Sequence, residues 1–140
     1  MPKSLDLARV LLVGDELASR LALQTLLEAG GYNVDVADSA YEAFAKLDVG
    51  EYELVLSEEE MGAPGAGMRV LSYARTHDYQ PATAFVTAFR EAKAFRYPLG
   101  DEQRVSINME NVSDLLSDVA DLIGRRARRR SGRALAKSAQ

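Results

Sequence analysis

The sequence predicts an α/β protein built on an open parallel sheet with helices on both faces. Strand-like and helix-like segments alternate along the chain, and short connections join them. This alternation favours a parallel sheet, because each helix carries the chain back to the start of the next strand. Most strand-like segments are nearly continuous apolar runs, which indicates burial on both faces. A length of 140 residues suits one compact domain with a full core.

Five segments are predicted to be strands. Three of them are short apolar runs, whereas the second alternates apolar and polar residues as an edge strand does. In order, the five cover residues 8–14, 32–38, 52–57, 82–88 and 104–108. Ligands of such sheets bind beyond the carboxyl ends of the strands, so the residues that follow each strand are the candidates for a site.

Apolar residues at helical spacing fill the intervals between the early strands. The first helix is predicted to end at Gly30 and Gly31, because glycine commonly terminates helices. The second begins at Ser39, which forms a capping box with Glu42 three residues later. The third follows a loop of glycines and proline over residues 61–67.

The second half of the chain gives one weak helix and one clear helix. Residues 89–103 leave little room for a helix, since Pro98 disfavours helical backbone in the residue before it. We therefore predict that this segment is the least regular part of the domain. The last helix starts near Asn111, keeps its apolar spacing without interruption and is predicted to end at Gly124.

Composition excludes several classes of protein. The chain contains no cysteine, which excludes disulfides, thiolate zinc sites and a cysteine nucleophile. No apolar run approaches the roughly 18 residues needed to span a bilayer. The opening residues have no long apolar stretch, so no secretory signal is predicted. The expectation is a cytoplasmic protein without a membrane span.

Charge divides the chain into an acidic body and a basic tail. Residues 125–140 carry seven of the 17 cations and none of the 21 acids, so residues 1–124 have a formal charge of −11. The densest cations are Arg125, Arg126, Arg128, Arg129 and Arg130. Clustered arginines neutralise phosphates, which leaves nucleic acid open as a partner, with an anionic membrane or an acidic protein as alternatives. The segment has no interleaved aromatics, so a disordered tail or linker is the simpler prediction.

Four segments carry motifs at the ends of predicted strands. They are ARVLLVGDELASR, YELVLSEEEMGAPGAG, AFVTA and VSINMENVSDLL. In this order they resemble the receiver domain of bacterial response regulators: the strand before an acid pair, the strand that ends in a phosphate-accepting aspartate, the threonine-alanine signature, and the strand that ends in lysine-proline. The resemblance covers about residues 7–124, which sets the predicted domain, and leaves 125–140 as the tail.

The resemblance implies a fold and a chemistry. The fold is the flavodoxin-like (CheY-like) three-layer sandwich, with a five-stranded parallel sheet of order 2-1-3-4-5. In the chemistry, an aspartate takes a phosphoryl group from a histidine kinase while Mg²⁺ bridges the carboxylates and phosphoryl oxygens. A lysine and a threonine then stabilise those oxygens.

Matched residue by residue, the resemblance implies a degenerate acceptor site. The phosphoacceptor position falls on Glu58, whose carboxylate lies one methylene further out than that of aspartate. The first acid of the pair falls on Gly14, the lysine on Asn108 and the switch aromatic on Val105. These changes remove a metal ligand and a fixed cation, so we expect normal phosphoryl transfer to fail.

Two site positions keep the family's residue type, namely Asp15 and Thr87. Asp15, Glu16 and Glu59 are predicted to form a residual acidic pocket beside Glu58, with Thr87 as the switch-type hydroxyl. Asp15 and Glu58 are the candidates for weak Mg²⁺ binding; no other cofactor is expected. No catalytic residue is predicted, and the chain is not expected to be an enzyme.

Three hypotheses follow. The first is a pseudo-receiver of two-component signalling that acts as a protein-interaction module largely independent of phosphorylation. Its partner would be a sensor kinase, an output domain or another signalling protein, and homodimerisation stays open. The second is an atypical Mg²⁺-dependent phosphoacceptor in a phosphorelay. The third is a nucleic-acid-associated protein that acts through the basic tail. Whether Glu58 mimics the phosphorylated state is also left open.

Overall fold

The computed structural model describes residues 8–88, 103–107 and 112–138, with backbone only at 87, 88, 103–107, 112 and 130–138. The strands are β1 (Arg9–Val13), β2 (Asn33–Ala37), β3 (Leu54–Glu58), β4 (Ala82–Ala88) and β5 (Gln103–Ile107). The helices are α1 (Leu17–Ala29), α2 (Ala40–Val49), α3 (Ala66–Ala74) and α4 (Val112–Ser138). Among the described residues these elements alternate as the sequence predicts.

All five strands form one parallel sheet of order β2-β1-β3-β4-β5. The predicted strand order is therefore confirmed. The register pairs Val13 of β1 with Ser57 of β3, and Glu58 of β3 with Val86 of β4. The carboxyl ends of β1, β3 and β4 consequently meet at one edge of the sheet, here called the carboxyl edge.

Two buried clusters cover the two faces of the sheet, because successive residues of a strand point to opposite sides. On one face, α1 and α4 pack against the sheet through Leu23, Leu27, Leu115, Val119 and Leu122. On the other face, α2 and α3 contribute Ala43, Leu47, Val70, Leu71 and Ala74. The result is the predicted three-layer sandwich.

Local signals place the ends of the early helices. α1 stops before Gly30, and the following Gly31 has a φ of +102°, a backbone conformation that glycine adopts without strain. The hydroxyl of Ser39 accepts a hydrogen bond from the Glu42 amide at 3.1 Å. The Glu42 carboxylate accepts one from the amide of Asp38 at 2.8 Å. The predicted capping box is thus present, with its return bond one residue earlier than predicted.

The last helix differs most from the prediction. α4 runs through Gly124 to Ser138, so the backbone is helical where a disordered tail was predicted. A long-range contact explains why Gly124 does not end it: Arg126 donates to the carbonyls of Gln80 and Tyr79 at 2.9 and 2.6 Å. These bonds hold the turn beyond Gly124 against the loop that precedes β4. The predicted irregular segment 89–103 lies outside the described residues, except for Gln103 in β5.

A polar network lies on the edge strand β2. Asp35 accepts hydrogen bonds from Tyr52 Oη at 2.7 Å and from Arg9 Nη2 at 2.8 Å. The Arg9 guanidinium also lies 4.7 Å above the centre of the Tyr52 ring. The cation and the phenol together satisfy a carboxylate that would otherwise be half-buried without compensation.

Candidate functional site

The sheet register brings Gly14 and Glu58 side by side at the carboxyl edge. Gly14 directly follows β1, and its amide donates to the Ala37 carbonyl at 3.0 Å, which continues the pairing with β2. Since Val13 is paired with Ser57, the next residue on each strand is again a neighbour of the other. The sheet therefore brings together two of the replaced positions of the predicted acceptor site.

The Glu58 side chain lies over Gly14. A Cβ atom placed on Gly14 would be 2.6 Å from Oε2 of Glu58, 2.7 Å from its Cδ and 3.1 Å from its Cγ. These separations are too short for any side chain at position 14 unless Glu58 moves. The longer carboxylate thus occupies the space that a residue other than glycine would need.

Backbone contacts fix the position of Glu58. The buried hydroxyl of Ser57 donates to the Glu58 carbonyl at 2.8 Å. Gly67, in the first turn of α3, packs so closely that an added Cβ would be 2.0 Å from that carbonyl oxygen. The Gly67 amide also donates to the carbonyl of Glu59 at 2.9 Å. The end of β3 is therefore held against the start of α3, a role for Gly67 that the sequence did not reveal.

The loop after Glu60 contains two glycines in a backbone conformation that proline cannot adopt. Gly62 has a φ of +77° and Gly65 a φ of +78°, both in the left-handed region. Proline is confined to a φ near −65°, so it cannot occupy position 62 in this conformation. Proline at position 62 would therefore require the loop to follow a different path.

The remaining acids of the predicted pocket differ in their surroundings. Asp15 is exposed and Glu59 is partly buried; Glu60, which was not assigned to the pocket, is also exposed. Glu16 is the N-cap of α1: its carboxylate accepts hydrogen bonds from the amide of Ser19, at 3.0 Å, and from its hydroxyl. Glu16 thus stabilises the start of α1 beside the site, a role that the pattern of acids in the sequence did not indicate.

One cation at this edge was missed by the sequence analysis. Arg20 of α1 donates from Nη1 to the carbonyl of Gly14 at 2.7 Å. Its Nε is buried and has no hydrogen-bond partner in the described part of the chain. Arg20 lies four residues after Glu16, one turn further along α1. This spacing is the only feature of the sequence that could have indicated a role for Arg20 at the site. Arg20 brings a positive charge to the residue on which Glu58 packs.

Other predicted positions are described less fully. Thr87 lies on β4 and is paired with Ser106, while Val105 lies on β5 and is paired with Val86. Asn108 lies outside the described residues. Within residues 8–86 and 113–129, where side chains are described, no three histidine, aspartate or glutamate side chains converge as metal ligands. A metal at Asp15 and Glu58 would need water for the rest of its coordination, as Mg²⁺ commonly does.

The single histidine lies in the turn after α3, at the opposite edge of the sheet from Glu58. The sequence predicts a surface position for His77, but only 15% of its side chain is exposed. Its Nδ1 lies 3.0 Å from the carbonyl of Tyr73, and its Nε2 lies 2.9 Å from the carboxylate of Asp48. The ring also packs against those of Tyr73 and Tyr79. His77 therefore tethers the turn to α2, away from the candidate site.

Comparison with models of known families shows the family of the chain. Residues 10–99 match the model of the response regulator receiver domain, which is more than half of the chain. The chain belongs to this family. No curated protein sequence matches it significantly.

Solved structures give the same fold. Response regulator TrrA of Thermotoga maritima, solved in complex with Mg²⁺ and BeF, is 24% identical, with a TM-score of 0.64 over 83% of this chain and 99% of that one. A CheY-like receiver domain protein of Methanospirillum hungatei is 24% identical, with a TM-score of 0.71 over 89% and 99%. NtrX of Brucella abortus is 17% identical, with a TM-score of 0.75 over 92% of this chain but 29% of that one. These likenesses establish the CheY-like fold, on which the chemistry of this chain must be argued from its own residues.

In the described residues, no helix is both long and apolar enough to cross a membrane.

Proposed function

We propose that this receiver domain is a signalling module that binds a protein partner and does not depend on phosphorylation of its acceptor position. The observation that carries the proposal is the packing of the Glu58 carboxyl group over Gly14. In this arrangement the acceptor position and the first acid position share one space, which only one carboxylate can fill.

Geometry supports a loss of normal phosphoryl transfer. In-line attack is sensitive to displacements of about 1 Å, which can cost roughly a hundredfold in rate. The extra methylene of Glu58 carries its carboxylate over Gly14 and away from the short reach of an aspartate. Gly67 opposes a compensating shift of the end of β3, because it packs closely against the Glu58 carbonyl and its amide donates to the Glu59 carbonyl.

Charge at the edge supports the same proposal. Gly14 provides no carboxylate for a metal, and Asp15 is exposed beside it. Arg20 already supplies a cation at the Gly14 carbonyl, which reduces the electrostatic need for a divalent ion there. We therefore propose that any Mg²⁺ binding through Asp15 and Glu58 is weak.

The surface beside the site supports an interaction role. Leu17 and Leu21 lie one turn apart on α1 and are 57% and 49% exposed, close in sequence to the acidic Asp15 and Glu16. Exposed apolar side chains grouped among charges are typical of surfaces that a protein partner covers. A partner with apolar and basic side chains fits this surface, and the role proposed for the chain is non-enzymatic.

The decisive experiment is intact-mass measurement of the full chain after incubation with acetyl phosphate and Mg²⁺, with EDTA as the parallel control. We expect no added phosphoryl group. A Glu58→Gln variant, which keeps the side-chain size, is treated in the same way. An acid-labile mass gain that is present in the wild type and absent from this variant would refute the proposal. It would instead support an atypical phosphoacceptor at Glu58.

A further inference from the structure

The last turns of α4 form a basic helical arm, defined here as residues 127–138. Among the side chains of α4 that the structure describes, Leu115, Val119 and Leu122 pack against the body of the domain, and Arg126 is the last with a described contact to it. Beyond that point the helix continues for 12 residues to Ser138, about 18 Å at the usual rise. Ala127, like the two residues after it, is exposed.

Two arginines just before the arm, Arg125 and Arg126, bind groups within residues 1–124. Arg125 lies 2.8 Å from the carboxylate of Asp121 one turn earlier on the same helix. Arg126 is bound to the carbonyls of Tyr79 and Gln80. The arm itself carries five further cations and no acid. They are Arg128, Arg129, Arg130, Arg133 and Lys137.

Helical geometry spreads these five positions widely around the arm. Each residue is rotated by about 100° from the one before, so the five positions span an arc of roughly 200°. The remaining arc holds mostly small side chains, at positions Ala127, Ser131, Ala134, Leu135 and Ser138. Cationic residues thus occupy positions on more than one side of the helix, and the sequence of the arm contains a single leucine as its one large apolar residue.

Repulsion between like charges destabilises the helical state of the arm. Arg129, Arg133 and Lys137 follow one another at intervals of four residues, where like charges destabilise a helix. Gly132 further disfavours the helical state. A polyanion that neutralises these charges would therefore stabilise the arm, and the helix would form more completely when the polyanion binds.

We propose that the arm binds double-stranded DNA by lying in the major groove and contacting phosphates on both walls. A groove about 12 Å wide admits one helix and places phosphates on either side of it, which suits cations spread over more than half of the circumference. A membrane surface requires a broad apolar face opposite the cations, and the arm lacks one. Single strands require aromatic side chains for stacking, and the arm has none. A-form RNA has a major groove too narrow for a helix.

The negative charge of the body does not oppose this contact at the end of the arm. Residues 1–124 carry −11, but electrostatic interactions in physiological salt decay over about 8 Å. The arm extends about twice that distance from its last anchor at Arg126. Phosphate contacts carry no base information, so binding independent of sequence is expected.

The test is fluorescence anisotropy of the full chain with a labelled DNA duplex of about 20 base pairs, a footprint of roughly two helical turns. Five phosphate contacts predict a slope of about −4.5 for log K against log salt, or roughly 500-fold weaker binding at 200 mM than at 50 mM salt. The triple variant Arg128→Gln, Arg129→Gln, Arg130→Gln should lose most of this binding. Far-ultraviolet circular dichroism should show a gain of helix on addition of duplex to the wild type alone.

Single variants provide the matched comparison. Arg129→Gln should reduce the salt slope by about one, whereas Arg69→Gln, which removes an exposed cation from α3, should leave it unchanged. Equal effects of the two variants would overturn the proposal, as would absence of salt-dependent duplex binding. Tighter arm-dependent binding to a single strand, to polyglutamate, to anionic vesicles or to a second copy of the chain would overturn it in favour of that partner.

Discussion

Gly14 and Glu58 share one space at the carboxyl edge of the sheet. The carboxyl group of Glu58 lies over Gly14. A Cβ atom added to Gly14 would be only 2.6 Å from Oε2 of Glu58. Two changes that look independent in the sequence are therefore coupled in space. The longer acid at position 58 fits because position 14 has no side chain, and a side chain added at position 14 would displace Glu58.

This coupling predicts a non-additive stability effect. Gly14→Ala should lower the free energy of unfolding by about 1 kcal/mol, because Glu58 must leave its position. In a Glu58→Ala background the same change should be neutral or slightly stabilising, since the φ of Gly14 is not in the left-handed region. The interaction energy should thus be about 1 kcal/mol, measured by denaturant unfolding of the four proteins. Strict additivity would contradict the shared space.

Gly67 should be the least replaceable of the glycines around the site. A Cβ atom on it would lie 2.0 Å from the Glu58 carbonyl oxygen and 2.7 Å from that of Glu59, and backbone cannot easily move aside. Gly67→Ala should therefore cost about 3 kcal/mol of unfolding free energy. Gly62→Ala is the control: it has nothing within 4 Å but a φ of +77°, and should cost about 1 kcal/mol. An equal cost for both would show that α3 tolerates displacement.

Asp35 should contribute a pH-dependent part of the stability. Burial alone would raise its pKa, but hydrogen bonds from Tyr52 and Arg9 and the charge of Arg9 outweigh burial and lower it. A pKa that is lower in the folded state stabilises the protein above the ordinary value of 3.8 and ceases to do so as the pH falls through the folded-state value. Asp35→Asn should cost up to about 1 kcal/mol at neutral pH, the upper range for half-exposed ion pairs.

The measurement for Asp35 is the unfolding free energy of wild type and variant from pH 7 to pH 2. The difference between them should shrink as the pH falls below the ordinary aspartate range. Asp118→Asn, at an exposed position on α4, is the control and should show a smaller dependence. A difference that stays constant with pH would contradict a lowered pKa for Asp35.

The strands were predictable because burial on both faces leaves a local trace in the sequence. β4 coincides with the predicted 82–88, and β1 and β2 differ from the prediction by one residue at each end. The continuation of the last helix past Gly124 was not predictable, because the contact found there joins Arg126 to the Tyr79 carbonyl 47 residues earlier in the chain. Gly124 looks like a helix end only when that contact is unknown.

The candidate site was predictable in residue type but not in shape. The sequence indicates that Gly14 lacks an acid and that Glu58 is longer than aspartate, but not that the second fills the space left by the first. That fit depends on the register of β1 and β3 and on the direction of one side chain. The Arg20 contact with the Gly14 carbonyl likewise links α1 to the strand end through a side chain whose target is not encoded locally.

Restoring phosphoryl acceptance should require several changes made together. Glu58→Asp alone shortens the acceptor and vacates the space over Gly14, but it leaves the site without the first acid and without the lysine that the family has at the position of Asn108. Gly14→Asp alone would collide with Glu58. Groups that act on one transition state contribute little when returned singly. We therefore expect both single variants to stay unmodified by acetyl phosphate.

The triple variant Gly14→Asp, Glu58→Asp, Asn108→Lys should gain Mg²⁺-dependent phosphorylation, read as intact mass with and without EDTA. Because the two side chains would share one space, the effect of Gly14→Asp on stability should depend on residue 58. Gly14→Asp should destabilise the wild type but be tolerated once Glu58→Asp is present. Modification of Glu58→Asp alone would show that the missing acid and lysine are dispensable. A folded triple variant that remains unmodified would point to one of two remaining obstacles: the loop over residues 61–67, which contains the left-handed Gly62 and Gly65, or the segment 89–103.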